Sequence, residues 1–152
     1  MKHVFLAASF SQQLDSVEGK VTEEFQQAIG ALVELLRRHE FKVVCSAETL
    51  GWRWDETPLE VSVQKDLEAI EAADVLLALI EDRPSAAVQF ELGYAAAQEK
   101  QVVLAARTGH KLAHFDQGAV SAGLMTYIAY DAAEELVDHL VVALNAPNER
   151  LS

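Results

Sequence analysis

Short apolar runs alternate with longer segments whose apolar residues return every three or four positions, and this alternation constrains the fold of the 152-residue chain more than any other feature. His3 to Ala8 reads as a strand. Val21, Phe25, Ala28, Ile29, Leu32 and Leu36 then follow helical spacing, which predicts an amphipathic helix from about Thr22 to His39. Phe41 to Cys45 is a second strand, followed by a loop rich in turn formers and aromatics from Glu48 to Pro58. A helix over Ser62 to Ala72 precedes the strand Asp74 to Ile80. Pro84 and Ser85 open a helix to about Glu99, Gln101 to Ala105 is a fourth strand, Leu124 to Tyr130 a fifth, and Ala132 to Leu144 a closing helix. The residues from Ala146 to Ser152 are expected to fray.

Strands alternating with helices imply βαβ units, hence a parallel sheet covered on both faces. Right-handed crossovers then lead to an α/β fold, a doubly wound, flavodoxin-like sheet of five parallel strands in the order 2-1-3-4-5. The length suits one domain spanning residues 1–152. Ligands of such sheets bind beyond the carboxyl ends of the strands. Here that edge carries Ala8-Ser9-Phe10, the loop Ala47 to Asp55, Glu81 to Ala87, and Arg107 to Lys111.

Charge and composition remove several function classes. With 24 acidic against 12 basic side chains, the formal net charge is −12, and a chain so acidic, without a basic stripe, is repelled by nucleic-acid polymers. A single small nucleotide is not excluded, because a helix N-terminus and a few hydroxyls suffice to hold one phosphate. No apolar run approaches the roughly 20 residues needed to cross a bilayer, so no membrane partner is expected. The apolar start is too short for a signal peptide, and the lone Cys45 cannot form an internal disulfide. A cytoplasmic location is the expectation.

The segment from Ser85 to Ala97 holds the most chemistry. As a helix it is apolar nearly all round, which predicts deep packing, yet Glu91 lies two turns in. A carboxylate there either finds a solvent-facing stripe with Gln98 or is kept for use, since burying it is costly. Ser85 stands where an N-cap is needed, and the same helix end attracts anions. Asp66 sits beside Ile70 on a helix whose buried stripe is Leu67, Ile70 and Ala73; alone it reads as a solvated acid. Asp74 reads as a structural helix-to-strand turn. Trp52 and Trp54 share one loop, and either they fold onto the core or an interface, or they form a wall that stacks on a nucleobase, with Trp52 the candidate. Cys45 reads as an inert buried residue. No metal-ligand spacing occurs and the five histidines are scattered.

Taken together, Asp66, Ile70 and Asp74 at four-residue spacing before an apolar strand, then Ser85, then Glu91-Leu92-Gly93-Tyr94-Ala95 and Lys100 before another strand, resemble the nucleoside 2-deoxyribosyltransferase superfamily. The opening Val4-Phe5-Leu6-Ala7-Ala8-Ser9-Phe10 is similar to its first strand and loop. Within the superfamily the closer likeness is to nucleoside 5′-monophosphate N-glycosidases such as the CMP and hydroxymethyl-CMP hydrolases. The resemblance implies that Glu91 is the nucleophile of a glycosyl-enzyme intermediate and that Asp66 positions substrate and assists proton transfer at the departing base. Ser85, six residues before Glu91, replaces the aspartate with which the transferases touch the sugar 5′-hydroxyl, and a serine suits a 5′-phosphate where an aspartate would repel it.

Phe5, Ser9, Phe10, Trp52 and Ala87 complete the expected substrate-binding set. Two departures stand out: Phe5 replaces the usual tyrosine of the transferases, and Ala87 and Gln89 occupy positions often held by glycine in the hydrolases. The resemblance also implies a homodimer or dimer-based oligomer with a polar residue supplied by the neighbouring subunit, for which His110, Lys111 and His114 are loose candidates. No metal or organic cofactor is implied. The expected activity is hydrolysis of a pyrimidine nucleoside 5′-monophosphate such as CMP or dCMP. The alternatives are a base-exchanging deoxyribosyltransferase and a nucleotide-binding module without turnover.

Overall fold

The computed structural model describes residues 1–9, 14–15, 18–81 and 85–146. In chain order the elements are β1 (His3–Ala7), a small hairpin of β2 (Leu14–Asp15) and β3 (Lys20–Val21), α1 (Glu23–Arg38), β4 (Lys42–Cys45), α2 (Ser46–Thr49), α3 (Leu59–Ala72), β5 (Val75–Ile80), α4 (Ala86–Ala97), β6 (Gln101–Arg107), α5 (His114–Ser121), β7 (Thr126–Tyr130) and α6 (Ala133–Asn145). The main sheet runs β4-β1-β5-β6-β7 and every neighbouring pair is parallel. With the hairpin set aside, this is the 2-1-3-4-5 order expected from the sequence.

Side-chain alternation along the strands divides the interior into two layers. Val4 and Leu6 of β1, with Val75, Leu77 and Leu79 of β5, meet Phe25, Ile29, Leu32, Val33 and Leu36 of α1 and Leu136, Val137 and Leu140 of α6. Phe5 and Ala7, with Leu76, Ala78 and Ile80, meet Ile70 of α3 and Val88, Leu92 and Ala95 of α4. All six residues of β5 are buried, as a central parallel strand covered on both faces must be. The expected structural role of Asp74 is visible: its carboxylate accepts from the His3 amide at 2.8 Å and its own amide donates to the His3 carbonyl.

Three expectations change. The helix placed at Ser62 begins at Leu59, with Pro58 at the N-cap and the Ser62 hydroxyl bonding back to the Pro58 carbonyl, so the proline starts the helix instead of closing the loop. The loop expected from Glu48 opens with the single turn α2. An unanticipated helix, α5, follows β6; it is short and holds Gly118, so its periodic signal is weak. Its Asp116 is buried and accepts from Gln89 of α4 at 3.3 Å. Phe10, Pro84 and residues 147–152 lie outside the described residues. Among the described residues no helix is long and apolar enough to cross a membrane.

Candidate active site

The segment from Ser46 to Trp54 that follows β4 and the facing sides of α3 and α4 enclose a cavity of about 330 Å3. Its walls are mostly apolar (Leu50, Trp54, Leu67 and Phe90 among them), while Ser46, Asp66 and Glu91 supply polar groups. A crevice of about 10 Å3 beneath it is lined by Phe5, Ala7, Ser46 and Glu91. Two carboxylates carried by different helices therefore open into one greasy space, an arrangement that the folding of α3 and α4 alone would not require.

Electrostatics follow from that burial. Removal from water raises the Glu91 carboxyl to about 8, and repulsion from Asp66 adds to the rise. Asp66 is also raised by desolvation, but a hydrogen bond from Ser46 pulls against the shift. The Ser46 hydroxyl lies 2.7 Å from Asp66 Oδ1 and 2.9 Å from Oδ2. Of the two, Glu91 is the member that more readily holds a proton near neutrality.

Ser85 caps α4: its hydroxyl oxygen accepts from the Ala87 amide at 3.2 Å, and the side chain is 6% exposed. An oxygen that accepts in the cap still has its own hydrogen to give. Ala87 lines the cavity, so the helix end held by Ser85 is also the cavity's edge.

Of the other expected site residues, Phe5 is fully buried under Glu91 and Ser9 is buried at the end of β1. Trp52 is not at the cavity. It packs partly buried against the core on the α1 face, its amide donating to the Ala47 carbonyl and its carbonyl accepting from Val21. Trp54 lines the cavity in its place. The cause is a turn in which Gly51 and Trp52 both adopt left-handed backbone, φ +67° and +60°, which sends the two indoles to different places. His110 lines a different cavity, of about 760 Å3, on the α1 face of the sheet with Phe25, Glu81, Arg107 and Tyr130. That space is larger but has a single carboxylate among its described lining, so size does not mark the chemistry here. Ser46 was not expected from the sequence; its only signal was a hydroxyl residue directly after a strand at the carboxyl edge. Among the described residues no three acidic, histidine or cysteine side chains group as metal ligands would.

Comparison with known proteins bears on this arrangement. Residues 19–139 match the family model described as nucleoside 2-deoxyribosyltransferase. No protein of curated function matches the sequence. Among solved structures, the Clostridium botulinum CMP N-glycosidase BcmB superposes with a TM-score of 0.67 at 20% identity, over 93% of this chain and 99% of that one. A 2-deoxyribosyltransferase from Bacillus psychrosaccharolyticus gives 0.66 at 18% identity, over 90% of each chain. The solution structure of BlsM gives 0.65 at 23% identity, over 96% of this chain and 95% of that one. At such identities the superpositions establish a shared fold.

Proposed function

This chain belongs to the nucleoside 2-deoxyribosyltransferase family, whose enzymes act on the glycosidic bonds of nucleosides, and we propose that it hydrolyses the N-glycosidic bond of a pyrimidine nucleoside 5′-monophosphate such as CMP or dCMP. The observation that carries this reading is the pair Glu91 and Asp66 opening into one apolar cavity whose edge is the Ser85-capped end of α4. In the first step the proton that Glu91 gives up on substrate binding passes to Asp66, which delivers it, directly or through water, to the departing base as the C1′–N bond breaks and a Glu91 oxygen bonds to C1′. In the second, water attacks C1′ and gives a proton back to Asp66, and the sugar 5-phosphate leaves as the Glu91 carboxylate is restored.

Glu91 attacks only as the anion, whereas its buried environment favours the proton. Sugar hydroxyls donating to it on binding would offset the lost solvation. A 5′-phosphate would meet the Ser85 hydroxyl and the amides of the first turn of α4, where the helix dipole favours negative charge. Trp54 and Phe90 supply aromatic surface for the base.

We extend the reading to assembly. Leu59, Val63 and Phe90 are 60%, 53% and 60% exposed, and all three border the cavity. Apolar surface at the mouth of the cavity supports a second copy of the chain covering it, as a homodimer or a dimer-based oligomer.

The test is a screen of nucleosides and 5′-monophosphates for free base by chromatography, with and without an added acceptor base. Base released into water from a monophosphate is the expected result. Release only when an acceptor base is present would make the protein a transferase, and release from nothing would leave a binding module.

A further inference from the structure

We propose that Ser46 is a positioning residue that fixes the Asp66 carboxylate in place, favours its anionic form, and so strengthens the hold of Glu91 on the proton that the facing pair shares. This rests on reading Asp66 and Glu91 as the reacting pair. The carrying observation is geometric. Ser46 begins α2 directly after β4, is 7% exposed, and aims its hydroxyl between both oxygens of Asp66, twenty residues away on α3. No other hydrogen-bond partner of Asp66 occurs among the described residues. Ser46 also borders both the main cavity and the crevice under Glu91.

The physical consequence follows from charge. Two carboxyl groups sharing an apolar cavity cannot both stay ionised cheaply, so one is driven to hold a proton. Desolvation already favours the proton on Glu91, and a contact that stabilises the Asp66 anion strengthens that preference. A hydroxyl has a single hydrogen, and donating it to one carboxylate stabilises that one as the anion. Among the described residues the Ser46 hydroxyl donates to Asp66 and not to Glu91, so it biases the proton toward Glu91. The other titratable groups around Asp66 do not supply this bias. Glu91 is its partner in the pair, the Cys45 thiol at the end of β4 is buried and raised toward the neutral form, and Glu48 of α2 is turned away into an ion pair with Arg37 at 2.7 Å. The same contact ties the start of α2 to the middle of α3, so the Asp66 rotamer is set by a neighbour instead of by solvent.

The experiment is a 13C-carboxyl NMR titration of the full chain, with signals assigned through Asp66→Asn and Glu91→Gln. In Ser46→Ala the Asp66 midpoint should rise by about one pH unit, the size expected for loss of one charge-assisted hydrogen bond. The Glu91 midpoint should fall in answer, because its neighbour is then neutral over a wider range. Ser46→Thr, which keeps the hydroxyl, should restore both midpoints, and Ser46→Cys, a weaker donor of similar size, should lie between. Unchanged midpoints in a folded Ser46→Ala protein would overturn the proposal and leave Ser46 as packing alone. In parallel, the pH profile of kcat/KM for base release should move with the NMR midpoints, and a uniform loss of rate at unchanged profile would count against positioning. If the wild type released no base from any nucleotide, the functional reading would fail while the NMR titration still decided the role of Ser46.

Discussion

The helices α1 and α4 cover opposite faces of the same sheet, yet their sequences are built to different ends. α1 buries Phe25, Ile29, Leu32, Val33 and Leu36 and keeps acids in its first turn and Arg37 and Arg38 in its last, with Thr22 as its cap. Its outer face is charged, and Arg37 ties it to Glu48 of α2. α4 buries only Val88, Leu92 and Ala95. Much of its remaining surface is apolar as well, with Phe90 exposed and stacked 6.5 Å from Tyr94, and it carries Glu91, one of the two acids that open into the cavity. A helix whose charges lie along its outer side is complete when it packs on the sheet. A helix mostly apolar and holding a raised carboxyl is not, and the contrast supports the proposed site on the α4 face and a stabilising role for the α1 face.

The largest expected effect divides the two faces most sharply. Glu91→Gln preserves shape and removes the attacking charge, so base release should drop by about three orders of magnitude or more while the circular dichroism spectrum is retained. Near-normal turnover in that variant would remove Glu91 from the mechanism. On the other face, Leu36→Ala should cost about 2–5 kcal/mol of stability through the cavity it leaves, as read by urea denaturation, with kcat per folded molecule unchanged. A loss of kcat there without a loss of stability would erase the distinction between the faces.

Ser85→Asp comes next. A charge-assisted hydrogen bond is worth about 1.5–3 kcal/mol, or roughly ten- to a hundredfold, so wild type should favour a monophosphate over its nucleoside by at least that factor and the variant should reverse the order. The measurement is kcat/KM for CMP or dCMP against cytidine or deoxycytidine, and equal handling of both by wild type would favour the transferase.

The pH dependence sharpens the comparison further. The reacting pair must carry one proton, which Glu91 holds in the free protein up to about 8 and passes to Asp66 for the base, so kcat/KM should fall as pH rises through about 8. Stability should fall over the same range. The folded state holds the Glu91 proton above the ordinary carboxyl range, so this group's contribution is fully present below the unfolded value near 4.5 and is lost as pH rises through about 8. In Glu91→Gln that loss should vanish, which thermal melts at pH 6 and pH 9 will show; parallel melts for the two proteins would contradict the burial argument.

The smallest effect on folding belongs to Phe90→Lys. With Phe90 60% exposed, stability should change by about 0.5 kcal/mol or less, whereas light scattering should shift from an oligomer to a monomer mass. A wild type already monomeric at micromolar concentration would refute the proposed assembly.

Much of this was legible in the chain. The sheet order followed from strand and helix alternation, because each apolar run could be buried only by covering it on both sides. Glu91 stood out because a carboxylate inside Ala86–Ala97 conflicts with its surroundings, and Ser85 because a helix start needs a cap. α5 was not legible, since eight residues with a central glycine give too little periodicity. The expectation that α4 would be deeply packed also missed, because a period tells which residues are apolar and not how many neighbours exist to cover them.

What the sequence by itself determined is everything that rests on local spacing: the five strands, their parallel order, the inward stripe of α1 and the acid two turns into α4. Only the tertiary structure decided that Ser46 reaches Asp66, that Trp54 instead of Trp52 turns to the cavity, and that Asp66 and Glu91 share one space. Periodicity is a property of one element and survives in the string of residues. A contact between elements depends on where packing brings two backbones, and on a left-handed turn at Gly51 and Trp52 that no repeat announces.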